Sequence, residues 1–132
     1  MHATSDSPTP AFRSVMPSLP VAELDRALTF YTQALGFLPQ FRNGSTFAII
    51  VRDGVELSLM ASGFSGVPAG SGRCYFRLSS GIDSLYAAYQ ATAVEVRHEL
   101  RDEEYGMREF MIADVDGNEI NFGQLISNQS NN

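Results

Sequence analysis

The stretch Phe110-Met-Ile-Ala-Asp-Val-Asp-Gly-Asn-Glu-Ile-Asn-Phe-Gly123 repeats, with substitutions, an earlier part of the chain, Phe47-Ala-Ile-Ile-Val-Arg-Asp-Gly-Val-Glu-Leu-Ser-Leu-Met60. The two segments align without a gap, and Phe, Ile, Asp, Gly and Glu match in place. Each consists of an apolar run, an Asp-Gly pair that tolerates the positive φ angles of a tight hairpin, and an alternating run. The pattern predicts strand, turn and strand twice, and therefore an internal repeat.

A helical pattern precedes each predicted hairpin. Residues 23–35 place apolar side chains at the three- and four-residue spacing of one helix face, and Gly36 follows as a helix-ending residue. Residues 81–92 repeat that spacing. Further strands are expected at 14–21, 37–42, 73–78 and 94–100. Each half of the chain is therefore predicted to form a βαβββ module, which gives an α+β fold.

The length of the chain favours one domain built from both modules. A 132-residue chain suffices for a single domain, whereas either half alone would bury too little surface to be stable. We expect a flexible arm at 1–12, a single domain at 13–125 with modules at 13–62 and 72–125, a linker at 63–71, and a flexible tail at 126–132.

Composition narrows the classes of partner. The net charge is −6 and the chain contains no Lys, which argues against nucleic acid and suits a cationic small molecule. No apolar run approaches the length of a membrane span, so no membrane partner is expected. The N-terminal sequence does not resemble a signal peptide, and the single Cys74 has no disulfide partner within the chain. A reducing, cytoplasmic location is the expectation.

Alternation along the predicted strands separates an apolar face from a mixed one. The apolar face suits packing against the helices. The mixed face either is simply solvated or lines a ligand cavity formed where the two modules curve toward each other. Arg73 could likewise form an ion pair with an acidic neighbour, and Tyr75 could pack across the sheet. The candidate ligand-binding residues are Met16, Ser18, Phe47, Glu56, Ser58, Met60, Arg73, Tyr75, Glu119 and Asn121.

The modules and two motifs resemble the glyoxalase/bleomycin resistance/extradiol dioxygenase superfamily, also called vicinal oxygen chelate proteins. The motifs are Glu23-Leu-Asp-Arg-Ala-Leu-Thr-Phe-Tyr-Thr-Gln-Ala-Leu-Gly-Phe37 and Tyr105-Gly-Met-Arg-Glu-Phe, followed by Asp-Val-Asp-Gly-Asn-Glu-Ile-Asn-Phe122. The similarity covers about residues 14–124. It implies that the paired modules form an open half-barrel, but it does not fix a function, because the superfamily contains both enzymes and binding proteins.

Enzymes of this superfamily typically hold a divalent metal with His or Glu side chains from four strands. The resemblance places these ligand positions at Met16, Ser58, Arg73 and Asn121, none of which is the expected kind of ligand. His2 and His98 match no ligand position. We therefore expect no metal, no other cofactor and no catalytic residue.

The vacant ligand positions resemble the bleomycin-resistance branch, whose members are dimers, often with exchanged N-terminal segments. The leading interpretation is a non-catalytic homodimer that sequesters an antibiotic or similar amphipathic ligand, which is cationic or planar. Known bleomycin binders use Trp, which this chain lacks, although Phe41, Phe47, Phe64 and Tyr75 could stack instead. The alternatives are a lyase or other superfamily enzyme without the usual metal, and a regulatory or assembly module without a ligand.

Overall fold

The computed structural model describes residues 7–126 and contains the predicted order of elements twice. The first module comprises β1 (Ser18–Val21), α1 (Leu24–Thr29) with a π-helical extension (Phe30–Ala34), β2 (Leu38–Asn43), β3 (Phe47–Arg52) and β4 (Val55–Ala61). After α2 (Ser62–Ser65), the second module comprises β5 (Arg73–Leu78), α3 (Ile82–Gln90), β6 (Glu95–Asp102), β7 (Met107–Ala113) and β8 (Glu119–Leu125).

Each module forms one four-stranded mixed sheet. The first sheet has the order β1-β4-β3-β2, and the second sheet has the equivalent order β5-β8-β7-β6. In each sheet the first strand pairs in parallel with the last, and the remaining pairs are antiparallel. The edges of the sheets adjoin near Gly72, where an added Cβ would lie 2.7 Å from Pro20 Cδ. The predicted α+β fold of two repeated, unclosed modules is confirmed.

The two modules share one hydrophobic core on the helix side of the sheets. Leu57 and Leu59 of the first hairpin are fully buried in this core. In the second hairpin Ile120 is fully buried and Phe122 is 3% exposed. Burial of each such side chain stabilises the fold by about 1.5–3 kcal/mol. The prediction that alternate side chains of β4 and β8 enter the core is confirmed at these four residues.

Two local expectations were wrong. The first strand begins at Ser18 rather than at residue 14, and Val15 is 87% exposed, because pairing with β4 begins where Ser58 N donates to Pro17 O. The second difference concerns the second hairpin. Between the modules, residues 62–65 form one helical turn that ends at Gly66.

The two Asp-Gly pairs form different turns. Asp53 and Gly54 both have positive φ and join β3 to β4 as the predicted two-residue hairpin. Between β7 and β8 the chain instead makes a five-residue loop, 114–118. The reason is the Asp114 side chain, whose Oδ1 accepts hydrogen bonds from the backbone N–H groups of Asp116 and Asn118. A side chain that binds the backbone of its own loop stabilises a wider turn.

The same carboxylate joins the modules through the hydrogen-bonded cluster Tyr31–Asp114–Asn118. The Tyr31 hydroxyl on the π-helical extension donates to Asp114 Oδ2 at 2.7 Å, and Asn118 Nδ2 donates to the same oxygen at 2.9 Å. Asn118 Nδ2 also donates to Pro20 O at the end of β1, and Gly72 N donates to Asn118 Oδ1. All three side chains of the cluster are buried, so Asp114 and Asn118, at the two ends of the second turn, have a structural role.

Burial, and then the neighbouring Asp114 carboxylate, raise the pKa of Tyr31 far above its ordinary value near 10. The stabilisation that the protonated, buried Tyr31 phenol gives the native state is fully present below pH 10. It is lost as the pH rises further, because the unfolded chain then releases a proton that the native chain retains. Unfolding free energy should therefore fall by up to about 1.4 kcal/mol per pH unit through this residue. Urea titrations across that pH range should show a shallower decline in Tyr31→Phe, and parallel curves would contradict the assignment.

Candidate functional site

Each sheet has one face that points away from the helices, and we call these the two open faces. The ten predicted site residues divide between them. The first group, on or beside the first sheet, contains Met16, Ser18, Phe47, Glu56, Ser58 and Met60. The second group, on the second sheet, contains Arg73, Tyr75, Glu119 and Asn121.

The open face of the first sheet carries an aromatic row, which we define as Phe41, Phe47 and Phe64. Ring centroids are 5.8 Å apart for Phe41 and Phe47, and 6.5 Å apart for Phe47 and Phe64. Phe41 is 52% exposed and Phe64 is 57% exposed. Phe47 also lies directly across from Met60 in the β3–β4 register. An apolar row on a face that packs against neither α1 nor α3, with Phe64 supplied by the single turn of α2, provides a platform for a flat ligand.

Polar groups border the aromatic row. Ser18 and Ser58 are register partners on β1 and β4, and Ser18 Oγ lies 4.0 Å from Met60 Sδ. The Glu56 carboxylate accepts a hydrogen bond from the Gln40 side chain. Met16 precedes β1 and is 40% exposed. Ser58 is only 2% exposed in a single copy, and Met16 lies at the margin of this group.

On the second sheet, Arg73 and Glu119 are cross-strand partners with an ion pair of 2.9 Å. Arg97 reaches the same carboxylate at 3.5 Å. The ion-pair alternative for Arg73 is therefore present in the structure, and at this exposure it contributes at most about 1 kcal/mol. Asn121 lies beside Tyr75 in the β5–β8 register and donates to Cys74 O at 3.3 Å.

Tyr75 lies flat across the second sheet, from β5 over Gly123 of β8 to Glu109 of β7. Its hydroxyl donates to Glu109 Oε2, and a Cβ added at Gly123 would lie within 1.8 Å of that hydroxyl oxygen. Tyr105 donates to the other oxygen, Glu109 Oε1. Burial and the Glu109 hydrogen bond raise the pKa of Tyr75, and the hydrogen bond to Glu109 raises the pKa of Tyr105 to about 12. Both phenols therefore remain protonated donors at neutral pH.

Sequence reasoning missed this arrangement. Glu109, Tyr105 and Gly123 were not among the predicted site residues. The available signal was the alternation of β7, in which Met107, Glu109 and Met111 share the open face while Phe110 and Ile112 enter the core. Only the tertiary structure shows that Gly123 leaves space for the Tyr75 ring.

The residues at the superfamily's metal positions do not fit a divalent cation. Arg73 brings a positive charge that is already paired with Glu119, and the Asn121 amide donates its hydrogen bond to a backbone carbonyl. Neither Met16 nor Ser58 is a hard anionic ligand. Across residues 7–126, no three His, Cys, Asp or Glu side chains gather into a group that could hold a metal ion. No step of a mechanism is assigned to a metal here.

None of the ten predicted residues lines either of two clefts that residues 7–126 form in a single copy. One cleft, of about 460 Å³, lies where the β3–β4 turn approaches β5 and α3, with Val55 and Arg77 at its rim. The other, of about 360 Å³, lies beside the start of α1. The floor of the first cleft is made by rings such as Phe76 and Phe122, which already belong to the core. The open faces are a stronger candidate, because their aromatic row is exposed and bordered by polar groups.

A family model described as the Glyoxalase/Bleomycin resistance protein/Dioxygenase superfamily matches residues 12–122. The chain belongs to this superfamily. The fold expected from the resemblance is therefore confirmed for nearly the whole described region.

Individual relatives support the expected branch. The chain is 27% identical to the Bleomycin resistance protein of Geobacillus stearothermophilus, over 84% of this chain and 96% of that protein. The solved structure of TnmS3, an antibiotic binding protein from Streptomyces sp. CB03234, is 28% identical, with a TM-score of 0.74 over 89% of this chain and 99% of that one.

An enzyme shares the fold as well. Lactoylglutathione lyase from Agrobacterium tumefaciens is 20% identical, with a TM-score of 0.73 over 87% of this chain and 95% of that one. At that identity the similarity shows the fold alone. Between residues 7 and 126, no helix has the length and apolarity needed to cross a bilayer.

Proposed function

We propose that this protein is a non-catalytic binding protein that sequesters an antibiotic or similar amphipathic small molecule on its open faces. The observation that carries the proposal is the aromatic row on the first sheet. Phe41 and Phe64 are more than half exposed, Phe47 lies between them and is partly exposed, and polar side chains border the row. Flat apolar surface with a few placed polar groups is the composition of small-molecule sites.

The superfamily relatives support the same function. One is named for bleomycin resistance, and the 28% identical structure is named as an antibiotic binding protein. The absence of a typical ligand set at Met16, Ser58, Arg73 and Asn121 agrees with binding rather than metal-assisted catalysis. We propose that the protein acts in the cytoplasm, where its single Cys74 would stay reduced.

We also propose that the binding unit is a homodimer. Each open face is a surface rather than an enclosed cavity, and burying most of a ligand requires a second surface opposite it. Phe12 and Val15, which precede β1, are fully and 87% exposed, and a partner copy packed against them would cover this apolar surface. A dimer that exchanges N-terminal segments and a dimer that does not would both satisfy these observations.

Ligand binding should depend on the aromatic row. Bleomycin and a panel of planar antibiotics should raise the melting temperature by several degrees at concentrations well above the dissociation constant. Phe47→Leu should weaken binding roughly three- to tenfold, because it keeps an apolar side chain but removes the aromatic contact. Isothermal titration gives the affinity, and sedimentation velocity of the same samples gives the oligomeric state.

Val55→Ala is the matched control. Val55 is 47% exposed, and its removal deletes apolar surface from the helix side, at the rim of the 460 Å³ cleft. Binding should be unchanged. Weakening by Val55→Ala but not by Phe47→Leu would move the ligand to the cleft. Failure of every compound to stabilise the protein, or turnover of the hemithioacetal of methylglyoxal and glutathione, would overturn the proposed function.

A further inference from the structure

The Glu109 carboxylate is held on the open face of the second sheet by two phenols. Each of its oxygens accepts one phenolic hydrogen bond, from Tyr75 and from Tyr105. Within residues 7–126 it forms no salt bridge, and Arg101, its partner in the β6–β7 register, is bridged to Glu103 instead at 2.7 Å. Glu119 on the same face forms ion pairs with both Arg73 and Arg97. The two carboxylates therefore differ in their contacts, because neutral donors contact Glu109 and guanidinium groups contact Glu119.

The orientation of Glu109 depends on a space left by glycine. The Tyr75 ring crosses β8 where Gly123 has no side chain, since an added Cβ would lie within 3.0 Å of three atoms of the ring and hydroxyl. Gly123 pairs with Glu109 in the β7–β8 register. The ring therefore lies flat on the sheet with its hydroxyl at the carboxylate, and Tyr105 fixes the opposite oxygen.

The carboxylate retains capacity to bind. An ionised carboxylate offers about four lone-pair positions, and the two phenols occupy one on each oxygen. Hydrogen bonds between a charged group and a donor are about twice as strong as neutral ones. Two arginines lie near Glu109 in the sheet. Arg101 is opposite it on β6 but is bridged to Glu103, and Arg77 on β5 lies in register with Gly123, one strand away from β7. A ligand group above Gly123 would reach Glu109 from solvent.

We infer that Glu109, oriented by Tyr75 and Tyr105, is the contact for a cationic amine or amidinium group on the ligand. This inference rests on the proposed function and specifies the ligand further. The ligand would combine a flat apolar part, for the aromatic row, with a positive group for the second sheet. Glu109, Tyr105 and Gly123 become specificity-determining residues, with Gly123 acting through the position of Tyr75.

The inference can be tested with two dyes that share one ring system. 9-Aminoacridine is cationic at neutral pH and acridine is neutral, and both report binding by fluorescence. Wild-type protein should prefer 9-aminoacridine. Glu109→Gln, which keeps the shape of the side chain, should weaken 9-aminoacridine binding by about ten- to a hundredfold and change acridine binding less than about twofold.

Two further variants and a control complete the experiment. Tyr75→Phe and Gly123→Ala should each reduce the preference for the cation, because the carboxylate loses one orienting donor. Glu23→Gln makes the same change in net charge at an exposed helix-capping residue that forms no side-chain cap hydrogen bond. It should leave both affinities unchanged, and an equal loss in this control would show that net charge alone is responsible.

The outcomes separate the inference from the proposed function. If both dyes bind and Phe47→Leu weakens them, but Glu109→Gln does not alter the preference, the inference is wrong and the proposed function stands. Equal affinity of the wild-type protein for the two dyes also contradicts the inference. If neither the dyes nor the antibiotic panel bind, the proposed function and the inference fail together.

Discussion

Replacing Asp114 with alanine is expected to lower the unfolding free energy by about 3–5 kcal/mol. Asp114 is 6% exposed, and its carboxylate accepts four hydrogen bonds. Two come from backbone N–H groups of its own loop, and two come from the side chains of Tyr31 and Asn118. Alanine would leave those donors buried without a partner. Because Tyr31 belongs to the first module and Asp114 to the second, the loss should also weaken the coupling between the modules.

Urea denaturation followed by circular dichroism measures this effect. Asp25→Ala serves as the control, because it also removes an aspartate carboxylate, but from the surface. The Asp25 side chain is 84% exposed and forms a salt bridge with Arg42. The control should cost less than about 1 kcal/mol. Similar losses in the two variants would show that the buried cluster does not stabilise the junction of the modules. A transition that becomes two separate steps in Asp114→Ala would demonstrate uncoupled modules.

Gly70→Ala is expected to cost about 2–4 kcal/mol, through both strain and a clash. Gly70 has a φ of +81°, and an added Cβ would lie 2.1 Å from the Asp116 backbone carbonyl oxygen. A backbone atom cannot rotate away as a flexible side chain can. Because Gly70 N also donates to Pro20 O, the linker must move away from both modules to accommodate the methyl group.

Gly66→Ala isolates the contribution of the clash. Gly66 lies in the same linker with a φ of +78°, but nothing lies within 4 Å of its added Cβ. Only the conformational penalty of about 1 kcal/mol should remain. Thermal and chemical denaturation of both variants give the difference. Equal costs would mean that the linker does not pack against the β7–β8 loop as described.

The site could be predicted in part because it depends on strand alternation. Alternation placed Ser58 and Met60 on one open face and Tyr75 and Asn121 on the other, and in the structure Met60 is the register partner of Phe47 and Tyr75 that of Asn121. It could not reveal Glu109, whose importance depends on hydrogen bonds to Tyr75 and Tyr105. Tyr105 is only four residues from Glu109, but Tyr75 is 34 residues away and reaches it only after β5, β8 and β7 have paired. The roles of all the site residues in ligand binding stay predictions.

The sequence by itself determined the repeat, the two βαβββ modules and the buried phase of the hairpin strands, because these follow from local spacing. It also determined which side chains stand at the superfamily's metal positions. The tertiary structure decided how the modules join, since the Asp114 carboxylate binds its own loop and the Tyr31 hydroxyl across the junction. It likewise decided which carboxylate is contacted by phenols and which by guanidinium groups, because these contacts depend on distances between strands that no local pattern records.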